Sequence, residues 1–136
     1  MRACFERAYR ATTYRVIAGR VCFDLRLGAH APALDRLLHA KGVRHWAFVT
    51  ACNPASRPLP AWRNRVRQAR LWRALAGARL LLSGIGVPDT PGWASEPSVL
   101  AAPMTPGRAR RIARRFGQNA AVAGRRGRVP VLVWTD

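Results

Sequence analysis

Acidic side chains are scarce in this chain: Asp and Glu together number 6, against 24 Lys and Arg, for a formal net charge of +18. Lysine is scarcer still, since Lys41 is the only one and arginine carries nearly all the positive charge. Cysteine is limited to Cys4, Cys22 and Cys52, an odd number at wide spacing, which excludes a CxxC metal pattern and a paired disulfide framework. Reduced cytosolic thiols are the expectation. The opening MRACFERAYRATTYRV has no apolar core of a signal peptide, and no apolar run approaches membrane-spanning length, so the expectation is a cytoplasmic protein with no membrane partner. A Walker loop, a dinucleotide fingerprint and a zinc-ligand cluster are all missing, so neither a cofactor nor a metal is expected. Internal repeats and low-complexity segments are missing too.

What is present is a chain of 136 residues, enough for a single domain over 1–136 and too short for two cores. Its 49% hydrophobic residues are spread along the chain, as in folded globular proteins. A GC-rich genome inflates arginine, alanine, glycine and proline together, which accounts for much of the arginine without a function. It does not account for the lack of acids. Excess positive charge opposes compaction by self-repulsion, and an anionic partner is the functional explanation for keeping it. Both explanations stand at this level, and oligomeric state is not legible.

Periodicity supplies the elements. Tyr14 to Ile17 and the alternating Val21 to Leu27 read as strands joined at Gly19-Arg20, with Asp24 and Arg26 opposite the apolar set. Pro32 to Lys41 reads as a helix with Leu34, Leu37 and Leu38 buried and Gly42 past its end. Trp46 to Cys52 is a central strand covered on both faces, broken at Asn53-Pro54. Pro60 to Ala76 is the longest helix. Projected at about 100° per residue, it sets Leu71, Trp72 and Leu75 on one arc with Asn64 and Gln68, and Arg63, Arg67, Arg70 and Arg73 on the other side. Leu80 to Val87 and Ser98 to Ala102 are strands flanking a Pro- and Gly-rich loop, Pro88 to Trp93. Thr105 to Phe116 is a helix with Thr105 as N-cap, Pro106 at N1 and Gly117 closing it. Gln118 to Ala123 and Val129 to Trp134 complete an expected α+β or α/β fold, a mixed sheet of five to seven strands with three helices mainly on one face.

Three segments form a wider pattern: VTACNPASRPLPAWRNRVRQARL from Val49, EPSVL from Glu96 and RFGQNAAV from Arg115, with Tyr9 and Tyr14 leading in. This layout resembles the small bacterial proteins grouped as domain-of-unknown-function family 3293. The resemblance implies no particular activity. It directs attention to Asn53, Pro54, Ser56, Asn64, Glu96, Ser98, Gln118 and Asn119, and it does not include the arginine-covered helix faces.

These polar residues fall beyond strand ends or at helix starts, where α/β sheets place ligands. Thr50, Asn53, Ser56, Asn64, Ser98, Gln118 and Asn119 are the candidate ligand-binding set, with amides suited to a planar polar ligand such as a base or nucleotide. Glu96 is the candidate catalytic acid or base. The opposing structural reading makes them turn and cap residues and pairs Glu96 with an arginine. Arg63, Arg67, Arg70, Arg108, Arg111, Arg114 and Arg115 are the candidate nucleic-acid contacts, with Trp62 or Trp93 available for stacking. The expected partner is nucleic acid or an anionic small molecule. Alternatives are a small enzyme acting on a nucleotide-like ligand through Glu96, and a protein-interaction module.

Overall fold

In the computed structural model, which describes residues 2–136, four α-helices and seven strands follow one another along the chain. Their order is α1 (Arg2–Arg10), β1 (Thr12–Ala18), β2 (Val21–Leu25), α2 (Pro32–Lys41), β3 (His45–Val49), α3 (Ala61–Ala74), β4 (Leu80–Pro88), β5 (Glu96–Ala102), α4 (Pro106–Arg115), β6 (Ala120–Arg125) and β7 (Val131–Trp134). A 3₁₀ turn at Pro54–Ser56 sits between β3 and α3.

The strands make one sheet in the order β2, β1, β4, β5, β3, β6, β7. Every adjacent pair is antiparallel, which fixes the class as α+β. The β1–β2 connection is the two-residue turn expected at Gly19-Arg20, where Gly19 takes a positive φ of 62°. Strand count lies at the top of the expected range, and α1 is an addition. No residue of α1 is buried outright; Phe5 and Tyr9, one turn apart, are its half-buried apolar positions, too short a stripe to mark a helix in the sequence.

Alternation in the central strands sorts two cores. Trp46 and Phe48 of β3, Leu100 and Ala102 of β5 and Val122 of β6 join Tyr14, Val16 and Leu25 on one face, under Leu34 and Leu38 of α2, with Tyr9 of α1 packed alongside. Ala47, Val49, Val99, Ala101, Ala121 and Ala123 occupy the other face, under Leu71 of α3 and its C-cap Leu75 and under Ala109 and Ala113 of α4 and its C-cap Phe116. The two arginine-bearing helices therefore share a face. Both ends of α4 are built as its residues dictate: the Thr105 hydroxyl accepts from the Arg108 amide, and Gly117 turns left-handed at φ 70°.

Edges depart from the simple pattern. Val21, predicted to be buried, is 62% exposed because it sits at the hairpin tip of an edge strand. β3 stops at Val49, three residues short of the predicted end, since Thr50 diverts the ladder: its hydroxyl donates to the Pro97 carbonyl at 2.8 Å and accepts from the Cys52 amide at 3.0 Å. Gly84 and Gly124 make room for aromatic rings, Phe48 over Gly84 and Trp46 over Gly124.

A Cβ at position 124 would lie 2.6 Å from the Trp46 ring. Gly124→Ala should therefore cost about 1–3 kcal/mol through overpacking. Gly77→Ala, where an added Cβ meets nothing within 4 Å, should stay within about 0.5 kcal/mol of wild type. Urea midpoints of the two variants check this, and equal midpoints would show that Trp46 has room to move.

Candidate functional site

The segment after β3 turns through an unusual backbone: Asn53, Ala55 and Ser56 all have positive φ, at 47°, 54° and 60°. Such conformations cost L-residues roughly 1–2 kcal/mol each, Asn least among them. Side chains of the turn itself, of α3, of β5 and of the connection from α4 to β6 hold them. Asn53 Oδ1 accepts from the Leu59 amide at 3.0 Å and from Asn64 Nδ2 at 2.8 Å. Asn64 Oδ1 accepts from the Asn53 amide at 2.9 Å, so the two carboxamides close a reciprocal pair. Asn53 Nδ2 then donates to Glu96 Oε1 at 2.8 Å.

One turn further along α3, Gln68 Oε1 accepts from the Ala51 amide at 3.1 Å. Gln118 Nε2 donates to the carbonyls of Cys52 at 3.0 Å and Phe116 at 3.2 Å. Asn119 Nδ2 donates to Ser56 Oγ at 3.1 Å, and the Ala55 amide donates to the Gly117 carbonyl at 2.8 Å. Ser98 Oγ donates to the Glu96 carbonyl at 3.1 Å. Asn53, Asn64 and Glu96 are thus directly bonded. Thr50, Ser56, Gln118 and Asn119 bind the same stretch from its flanks, and Ser98 touches it only through the strand that carries Glu96. Among the described residues, each of these amide side chains spends hydrogen bonds on protein atoms.

Arg67 is the departure from the helical projection, which set it on the outer side. Its long side chain bends back so that Nε donates to the Ala51 carbonyl at 2.7 Å and a terminal nitrogen donates to the Phe116 carbonyl. It ties the turn to the end of α4. Gly117 makes that approach feasible, since its left-handed φ would strain any Cβ and the Cβ would lie 3.0 Å from Pro54.

Glu96 differs from the other acids. Glu6, Asp24, Asp89 and Asp136 form ion pairs with Arg10, Arg15, Arg26 and Arg2, and Asp35 accepts from the Gly127 amide. Glu96 pairs with no arginine among the described residues, so the expected structural pairing is absent. Register aligns it with Gly86 and Tyr14 across β5, β4 and β1, on the face of Leu100 and Phe48. Burial pushes its pKa up, opposed by the Asn53 hydrogen bond. Burial likewise pushes the Tyr9 phenol up to about 12, with the Glu96 charge adding to the effect. Tyr14, whose hydroxyl donates to the Tyr9 carbonyl at 2.7 Å, is raised by burial and then by Tyr9. Burial also raises the Cys52 thiol, so it is not an activated nucleophile. Tyr9 and Tyr14 lay outside the candidate site residues, because a strand register and a helix crossing, neither visible locally, bring them to Glu96.

The arginines divide. Arg67, Arg70, Arg73 and Arg115, with Ala74 and Phe116, line an open cleft of about 470 Å³ between α3 and α4. Arg73 was not among the candidates. Arg63 lies over the Trp62 ring at 5.6 Å, and Arg115 over Phe116 at 5.5 Å. Arg114 donates to the Thr135 carbonyl, whereas Arg108 and Arg111 do not reach the cleft. Among the described residues, no group of three His, Cys, Asp or Glu side chains is placed to hold a metal ion, and no helix is long and apolar enough to cross a membrane.

Residues 49–121, more than half of the chain, match a family described as a protein of unknown function (DUF3293). No curated protein and no solved structure matches the chain. The matched span includes the whole Asn53 network and both walls of the cleft, and it excludes Tyr9 and Tyr14.

Removing the Asn53 side chain while keeping its backbone freedom tests the network. Asn53→Gly should cost about 1–3 kcal/mol from orphaned polar groups, and Asn53→Ala roughly 1 kcal/mol more through the left-handed φ. Chemical denaturation reads both, and a loss under about 0.5 kcal/mol for the glycine variant would contradict the role. For Glu96, an acid whose pKa is raised on folding binds its proton more tightly in the folded state. Its charge therefore costs stability once the pH rises above the ordinary value of 4.5, in full above the folded value. Glu96→Gln keeps the acceptor for Asn53 and loses the charge. It should melt higher than wild type at pH 7, with the difference closing as the pH falls below 4.5; a lower melting point at pH 7 would show that the charge is compensated.

Proposed function

The chain belongs to the DUF3293 family, which brings no activity with it, and from its geometry we propose that it binds nucleic acid through the cleft between α3 and α4. The observation that carries this reading is the concentration of guanidinium groups without acids. Arg67, Arg70, Arg73 and Arg115 line one cleft, and no Asp or Glu occurs from position 36 to 88 or from 97 to 135. Neither helix can neutralise its own arginines.

Like charges held this close repel, and the cost falls when an anion enters. Guanidinium forks match phosphate oxygens two at a time and stay charged at any physiological pH. Arg67 supports the reading in a further way. Two backbone carbonyls already fix its guanidinium, so little freedom is lost when its remaining N–H groups meet a ligand. The amide network fits this reading as the support that positions Arg67 and the turn.

A second reading, an enzyme using Glu96 as general acid or base, is favoured by one observation: a half-buried carboxylate with raised pKa is kept apart from every arginine in a chain of +18. It predicts a product when the protein is incubated with oligonucleotides, abolished by Glu96→Gln.

For the binding reading, the affinity for a DNA oligonucleotide should fall steeply with salt, with a log–log slope of about −3 to −4 if four phosphates are neutralised. Replacing Arg70, Arg73 and Arg115 by Gln, and sparing Arg67, should make that slope shallower by about 2–3. Fluorescence anisotropy over a salt series measures both, and a slope untouched by the triple substitution would move binding elsewhere.

A further inference from the structure

The outer surface of α3 adds an aromatic group to the charged cleft. Trp62, at the start of the helix, is 58% exposed, and Val66, one turn on, is 45% exposed. Positions four apart fall into a ridge on a helix, and here the ridge runs Trp62, Val66, Arg70, Ala74. Its first two members are uncovered apolar groups and its last two line the cleft. At 1.5 Å per residue, Trp62 and Arg70 are roughly 12 Å apart along the axis.

The indole is also held. Arg63 lies over one face of its ring at 5.6 Å, a cation–π contact that restricts the side chain and leaves the opposite face for a partner. An apolar partner alone would not explain why the ridge leads into four guanidinium groups. A partner offering both flat apolar faces and phosphates at short intervals fits both halves. In a duplex the base faces are occupied by their neighbours in the stack, so an exposed indole gains little from paired bases, whereas an unpaired base is free to lie against it.

We propose that α3 takes single-stranded nucleic acid, with an unpaired base stacked on Trp62 and the phosphates that follow it along the strand seated among Arg67, Arg70, Arg73 and Arg115. This rests on the nucleic-acid reading above and adds the strandedness and the stacking residue. The ridge gives the strand a fixed register: the base marks the start of the helix and the phosphates mark its C-terminal half.

The test compares a labelled homopolymeric thymidine strand with a duplex of the same length, each over the same salt series, against wild type, Trp62→Ala and Trp62→Phe. Trp62 is on the surface, and circular dichroism checks that the variants stay folded. The expected result is tighter binding of the single strand than of the duplex, with Trp62→Ala losing about 5- to 150-fold for the single strand. Trp62→Phe should retain most of the affinity, and duplex binding and the salt slope should be unaffected by either change. Equal binding of both forms, or a Trp62→Ala variant that binds the single strand as wild type does, overturns this proposal and leaves the arginine-cleft reading standing. Failure to bind either form, or binding indifferent to salt, overturns both.

Discussion

The Asn53 carboxamide, at the place where the β3 ladder gives out, joins three parts of the chain at one point. It bonds to the start of α3 through Asn64, to β5 through Glu96 and to the approach to α3 through Leu59. Three left-handed residues in four positions would not persist without such support. Because Ala55 and Ser56 are in turn bonded to Gly117 and Asn119, the turn also sets where α4 ends. The two walls of the cleft are therefore spaced by the same small loop that fixes the Glu96 carboxyl.

Charge is distributed as unevenly as polarity. The ion pairs all lie on α1, on β1 and β2, at the loop carrying Asp89, and at the C-terminal residue. These pairs are exposed and each contributes little to stability, but together they account for four of the six acids. The arginines of α3 and α4 have no such company within either helix. Some turn instead to backbone carbonyls: Arg67 to Ala51 and Phe116, and Arg114 to Thr135, while Arg110 lies close to Asp136. Carbonyl acceptors leave the positive charge unneutralised, so this face keeps a positive potential. What sets these two helices apart is less the number of their arginines than the lack of any acid within them.

Much of this was legible in the sequence where the signal is local. α2 and α4 declare themselves by proline in the first turn and glycine past the end, and the projection of α3 turned Asn64 and Gln68 inward as observed. Arg67 shows the limit of projection: a direction from the helix axis does not say how far a long side chain bends. α1 offers only Phe5 and Tyr9 as an apolar stripe, too little to mark a helix. The strand order was invisible because a strand carries no local mark of its neighbour, so the insertion of β5 between β4 and β3 is settled only by packing of the whole chain. The candidate residues near Asn53 were placed together by their positions at element ends. The Asn53–Glu96 contact, and the approach of Tyr9 and Tyr14 to Glu96, depend on register, and no spacing in the sequence encodes it.

The two faces of the sheet tolerate different changes of side-chain volume. One is filled by Trp46, Phe48, Leu34, Leu38 and Leu100, so truncating any of these opens a void. The other, beneath α3 and α4, is filled by Leu71, Leu75, Met104 and Phe116 but floored by Ala47, Ala101, Ala121 and Ala123 and met by Ala109 and Ala113, positions where a truncation has almost nothing to remove and an enlargement pushes on a helix. The large residues of the first face are limited by the void a smaller side chain leaves, and the alanines of the second by the space a larger one needs. Since α3 and α4 rest on the second, the geometry of the arginine cleft is guarded by the smallest side chains in the core, residues that carry no chemistry of their own.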